Sequence, residues 1–233
     1  MKKGLIAIAL GVAMSLTGCQ SEREQKIAQL AKMGFKNELP YFFKAASKGK
    51  VEALTLFKEL GMDFNQKNKS GNTVLVIAAN KGNGPVVSKL LELGADPRIK
   101  GGSKGFTPLV DVVSLGKLDM VKLIVETPKK DAQGQELILG TKKAFLMACS
   151  QGFTEIVKYL SEKDQSLFKA KNNLNKTALL LAVEKGHLGV VQALIAGGTD
   201  LNIPDSDGNS PLAYAKNYGY PKVAKALRVA GAK

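Results

Sequence analysis

The sequence predicts an all-α solenoid of about six stacked helix–turn–helix repeats, and three observations carry that expectation. A glycine recurs nine residues after a Thr-like position in six segments, 40–49, 73–82, 107–116, 143–152, 177–186 and 210–219. The start-to-start spacings are 33, 34, 36, 34 and 33 residues, a constancy that belongs to stacked supersecondary units and not to one irregular core. The chemistry inside the unit repeats as well: a hydroxyl, a first helical run with small residues one turn in, the glycine, and a second run with apolar pairs at helical intervals.

In chain order, Met1, Lys2 and Lys3 make a short basic start, and the 13 residues 4–16 are apolar without a charge. That run is too short for a helix to cross a hydrocarbon layer of about 30 Å, so it reads as an export signal and not as a permanent span. Leu16-Thr17-Gly18-Cys19 resembles the lipobox of bacterial lipoproteins. The resemblance implies removal of residues 1–18, diacylglycerol on the Cys19 thiol and acylation of the new amino group. At about 0.8 kcal/mol per buried methylene, two acyl chains suffice for stable anchoring. Gln20 stands where an inner-membrane lipoprotein would usually carry Asp, so the same resemblance implies the outer membrane in preference to the inner. The plainer alternative is a secretory signal with a chance cysteine at its cut site. Residues 19–38 are expected to form the lipidated cysteine with a tether or an N-terminal capping helix, and residues 39–233 the repeat domain.

Within the repeats, Thr107-Pro108-Leu109, Thr177-Ala178-Leu179 and Ser210-Pro211-Leu212 each supply a capping hydroxyl, a first-turn residue and a core residue. Ala45-Ala46, Ala78-Ala79, Ala148-Cys149 and Ala182-Val183 let neighbouring helices come close, and the glycine ends the helix. Val86-Val87 with Leu90-Leu91, Met120-Val121 with Leu123-Ile124, Ile156-Val157 with Leu160, and Val190-Val191 with Leu194-Ile195 open the second helices.

The segment Thr177-Ala178-Leu179-Leu180-Leu181-Ala182-Val183-Glu184-Lys185-Gly186-His187 resembles the ankyrin signature, in which Thr-Pro-Leu-His is followed by two alanines and Gly-His. Six registered copies extend the resemblance over about 39–233. It implies helix pairs joined by hairpin-like fingers, with partners bound along the concave face of finger tips and first helices. Repeat 3 departs through a long polar run at 126–136, and repeat 4 through Lys142-Lys143-Ala144 at its finger. Phe43, Val76, Val110, Leu146, Leu180 and Ala213 replace the signature histidine, so the family's finger hydrogen bonds are expected to give way partly to apolar packing.

The formal charge is +14, two less without Lys2 and Lys3, which favours acidic partners or anionic headgroups. Nucleic acid is not expected of an exported chain with 6% aromatic residues and no Trp. His187 is the only histidine and takes the Gly-His position, so no Ser-His-Asp or Cys-His scheme has its members. Asp205, Asp207 and Asn209 around Gly208 lack the order and closing glutamate of a calcium loop, and read as turn residues. Residues 101–105, Gly-Gly-Ser-Lys-Gly, lack the strand and full pattern of a phosphate loop, and read as a flexible basic finger. Cys149 falls in a slot that other repeats fill with Ala46, Ala79, Val113 and Val183, so it reads as a small buried residue. The sequence therefore predicts neither an enzyme nor a cofactor or metal site.

Two positions per repeat have little structural duty. The residue before the Thr-like position is Asn72, Phe106, Lys142, Lys176 or Asn209; the residue before the glycine is Lys48, Lys81, Leu115, Gln151, Lys185 or Tyr218. Lys48, Lys81, Phe106, Leu115, Lys142, Gln151, Lys176, Lys185 and Tyr218 are the candidate partner contacts, large apolar groups among lysines. The plain alternatives are that Tyr218 caps the last repeat, Phe106 packs, and the lysines serve solubility. The expected function is a monomeric, lipid-anchored periplasmic protein that binds an acidic protein, as an immunity protein against a toxic effector. The competing expectations are a scaffold or protective partner of a periplasmic enzyme, and a surface for anionic envelope lipid or polysaccharide.

Overall fold

The computed structural model describes residues 21–127 and 140–233. The signal segment 1–18 and the candidate lipidation residue Cys19 lie outside them. The chain divides into two compact units, Met1–Asp96 and Pro97–Lys233.

In the first unit, residues 21–32 are helical (α1), and two helix pairs follow, α2 Leu39–Ser47 with α3 Val51–Glu59 and α4 Val74–Asn80 with α5 Gly84–Glu92. First helices pack on first helices (α2 on α4) and second on second (α3 on α5). Phe42 is the centre of the core. Its ring lies 5.6, 5.4 and 4.8 Å from those of Phe43, Phe57 and Phe64, and Leu30 of α1 is buried with them.

The second unit holds four pairs: α6 Pro108–Ser114 with α7 Leu118–Glu126, α8 Thr141–Gln151 with α9 Thr154–Lys163, α10 Ala178–Glu184 with α11 Leu188–Ala196, and α12 Pro211–Asn217 with α13 Pro221–Val229. A 3-10 turn, Gln165–Lys169, stands between α9 and α10. The first helices α6, α8, α10 and α12 form one layer, each on the next, and α7, α9, α11 and α13 form the other. Ala148, Cys149, Ala182 and Val183 are fully buried between layers, where their small volume lets the helices approach. Among the described residues, the only β pairing is two isolated bridges, Gly101 with Phe106 and Lys171 with Thr177.

Capping chemistry decides where the first helices begin. Thr73, Thr107, Thr177 and Ser210 are N-caps whose hydroxyls accept from the N–H groups of Val76, Val110, Leu180 and Ala213 at 3.3, 3.5, 3.2 and 3.2 Å. Repeats 1 and 4 lack the hydroxyl and the cap: α2 starts behind Glu38, and α8 behind Gly140, with no side-chain bond at either. In repeat 4 the glycine register puts the capping position at Lys143. The helix begins at Thr141, because Gly140 turns the chain at φ +75° and nothing at Lys143 arrests the helix.

Three of the finger turns carry their own polar bonds. Asn68 Oδ1 accepts from the N–H groups of Ser70 and Asn72, Asn172 Oδ1 from Leu174 and Lys176, and Asp205 Oδ1 from Asp207 and Asn209, all at 2.9–3.0 Å. An Asx side chain five residues before the capping hydroxyl closes each of these three turns, beside the apolar residues at the signature-histidine position.

Candidate protein-binding face

The residue before each repeat glycine sits at the very end of a first helix, where the chain must turn away and its side chain has no neighbour to join in the core. In the first unit Lys48 and Lys81 are the C-caps of α2 and α4, both exposed. In the second unit Leu115, Lys185 and Tyr218 are the C-caps of α6, α10 and α12, and Gln151 ends α8. Leu115 is 40% exposed and Tyr218 53%, large fractions for apolar side chains on the two outer helices of the four-helix layer.

The finger side of the same layer is built differently in each repeat. Phe106 is half-buried, and its backbone is bridged to Gly101 just before α6. Two ammonium groups flank it, Lys143 Nζ at 4.2 Å from the ring centre and Lys104 Nζ at 5.8 Å. Lys142, beside Lys143 in the first turn of α8, is exposed. Lys176 is spoken for by its own unit: Nζ donates to Glu184 at 2.8 Å and lies 5.5 Å from the Tyr214 ring. That hydrogen bond holds the Lys176 ammonium above its ordinary range, against the opposing effect of burial.

Tyr214 joins Lys176 to the candidate Tyr218. Its ring stacks on Tyr218 at 5.5 Å, Tyr218 in turn lies 6.4 Å from Tyr220, and the Tyr214 hydroxyl donates to Asp205 Oδ2 at 2.6 Å. The Tyr214 hydroxyl bond lowers Asp205 below the usual carboxylate range, and the same bond, then burial, raises Tyr214. Asp205 is thus the keystone of its turn, and Tyr218 is the exposed middle ring of an ordered stack.

Sequence reasoning missed a third line of residues. Asp111, Met147, Leu181 and Tyr214 each stand four places after the Thr-like position, on the four stacked helices of the second unit. Met147, Leu181 and Tyr214 are only half-buried, and they run between the Phe106–Lys142–Lys176 and Leu115–Gln151–Lys185–Tyr218 rows. Period counting at this offset picks out the positions, but only the stacking of the helices shows them at the surface. Asp111 is the exception in the line, a carboxyl 8% exposed in an otherwise apolar helix. Burial raises its pKa to about 6, and the nearby charge of Lys104 acts in the opposite direction.

His187 serves the fold. Its Nε2 lies 3.0 Å from the Ser150 carbonyl, and its ring covers Gly152, where a Cβ would come within 2.7 Å of Nδ1. Among the described residues, no group of three or more His, Cys, Asp or Glu side chains is placed to hold a metal ion. The face offers apolar side chains beside lysine ammoniums, a surface that suits a polypeptide carrying hydrophobic anchors and carboxylates.

A family model described as ankyrin repeats, in three copies, matches residues 42–136, 113–205 and 145–233. The ankyrin repeat protein YahD of Escherichia coli is 26% identical over 205 residues, covering 86% of this chain and all of its own. An ankyrin repeat and KH domain-containing protein of Caenorhabditis briggsae is 30% identical over 156 residues, 67% of this chain, which spans only 6% of that much longer protein. The crystal structure of an ankyrin repeat domain from Acinetobacter baumannii superimposes with a TM-score of 0.68 at 26% identity, covering 82% of this chain and 98% of that one. Repeats of this kind mediate binding of protein partners, and with its helix pairs, capping hydroxyls and turn glycines this chain belongs to the ankyrin-repeat family.

Proposed function

We propose that the chain is an exported lipoprotein, anchored through Cys19 in the periplasm at the outer membrane, that binds an acidic protein on the first-helix face of its second unit. The supporting observation is Phe106, held half-exposed between the Lys104 and Lys143 ammoniums in the layer that also presents Leu115 and Tyr218. Lys142 and Lys185 steer an acidic surface toward that face, and the apolar groups supply the affinity once water is expelled. In the first unit, Lys48 and Lys81 are exposed at the equivalent helix ends. The lipid rests on residues 1–19, with Leu16-Thr17-Gly18-Cys19 as its acceptor. A rigid basic face of this kind suits occlusion of an acidic active site, as an immunity protein does to a toxic effector.

Two measurements test the reading. Cells fed labelled palmitate should yield a labelled chain that loses the label on Cys19→Ser; an unlabelled wild-type chain in the soluble fraction removes the anchor. Capture from envelope fractions with residues 21–233 should yield one acidic protein at equal stoichiometry, whose activity falls when the chain is added. Capture of an enzyme whose activity is unchanged or protected overturns the inhibitor role in favour of a scaffold.

A further inference from the structure

We propose that the outer face of the last two repeats, the groove between α11 and α13, is a docking surface for an anionic lipid bilayer. It lies on the second-helix layer, separate from the candidate protein-binding face.

The groove holds about 570 Å³ and is walled by Leu188, Ile195 and Ala196 of α11 and by Ala226 and Val229 of α13, with Lys222 and Lys225 on its rim. Val229 is 82% exposed, the most exposed of the large apolar side chains on the described surface. A large apolar side chain so exposed beside an open groove marks an interaction surface.

The charge pattern says which partner. Helix α7 carries Asp119 and Glu126, and α9 carries Glu155 and Glu162, with Glu155 paired to Lys158 at 2.9 Å. Helix α11 has no charged residue, and α13 has Lys222, Lys225 and Arg228 without an acid. After Asp207 the chain holds Lys216, Lys222, Lys225, Arg228 and Lys233 and no Asp or Glu. A short apolar strip edged by cations that no carboxylate neutralises is the pattern of a helix that lies in the headgroup region. There the stems and Val229 enter the acyl boundary while the ammoniums meet phosphates. An acidic protein would satisfy the cations equally, but the groove is open to solvent and not enclosed, which suits a fluid surface better than a single seated anchor.

The test uses residues 21–233, which contain every described helix and lack the apolar segment 4–16. Partition is measured by sedimentation with phosphatidylglycerol vesicles and with phosphatidylcholine vesicles. In parallel, a solvatochromic dye is attached through Val229→Cys, Cys149 being buried. The expected result is at least a tenfold preference for phosphatidylglycerol and a blue shift of the dye. Partition should fall about tenfold for Lys222→Glu with Lys225→Glu, and less for Lys48→Glu with Lys81→Glu. Equal losses for the two pairs would assign binding to net charge alone and overturn the proposal. So would an unshifted dye, or a dye that responds to polyglutamate and not to vesicles. Capture of a protein partner by the first-helix face is read separately and survives any of these outcomes.

Discussion

At the scale of single residues, burial sets the properties that matter. Asp111 titrates near 6 in the folded chain against an ordinary 3.8, because desolvation outweighs the Lys104 charge. Between these values the native state holds a proton that the unfolded chain has released, so its contribution lowers stability as pH rises through about 4 to 6. Asp111→Asn is therefore expected to be ~1–2 kcal/mol more stable than the parent at pH 7.5 and nearly equal to it at pH 3.5, as urea unfolding will report. Gly152 illustrates a second residue-scale effect, at φ +80° and under the His187 ring. Gly152→Ala is expected to cost about 2–3 kcal/mol through left-handed strain and the displaced imidazole. Gly219→Ala, at φ +73° with nothing within 4 Å of the added Cβ, carries the strain alone, about 1 kcal/mol; thermal unfolding of the two separates the contributions. Cys149 is fully buried and its thiol pushed up by burial. It should resist a thiol reagent in the native chain and react fully in denaturant.

At the scale of elements, the hydroxyl caps divide the repeats into two kinds. Thr177→Ala removes a bond that satisfies the Leu180 N–H at the start of α10 and should destabilise by about 1 kcal/mol. Thr141→Ala, at the start of α8 where no side chain caps, should change stability by less than about 0.5 kcal/mol in the same denaturant series. The helix pairs, their small contact residues and their end glycines were legible in the sequence because each is a local chemical requirement repeated at a fixed period. The start of α8 was not, since its register was counted back from Gly152 and no capping hydroxyl marks Lys143. The Asx turns at Asn68, Asn172 and Asp205 recur at a fixed offset too, but Asn and Asp are common in any polar turn, so residue type alone does not mark them. Apolar side chains at the signature-histidine position and polar bonds in the finger turns are independent choices.

At the scale of the whole molecule, the chain spends its excess positive charge unevenly. Carboxylates answer lysines at Glu155–Lys158 and Glu184–Lys176, while Lys48, Lys81, Lys142 and Lys185 stay exposed at the ends and first turns of first helices. The candidate site was legible in outline: Leu115, Gln151, Lys185 and Tyr218 occupy equivalent helix ends, as their spacing required. Lys176 could not be placed from spacing, since its ion pair with Glu184 depends on how a finger folds back over α10. The half-buried line of Met147, Leu181 and Tyr214 was hidden because those residues read as core in a single repeat and show as surface only when helices are stacked. The most direct test of the binding account is capture from envelope fractions by residues 21–233 and three variants, with the affinity of the captured protein then measured by titration. Phe106→Ala should weaken binding by about 2 kcal/mol, some thirtyfold, and Lys142→Glu should slow association, while Lys158→Glu on the outer layer leaves both unchanged. An affinity that ignores Phe106 and Lys142 but falls with Lys158 would contradict the account and move the partner to the other layer.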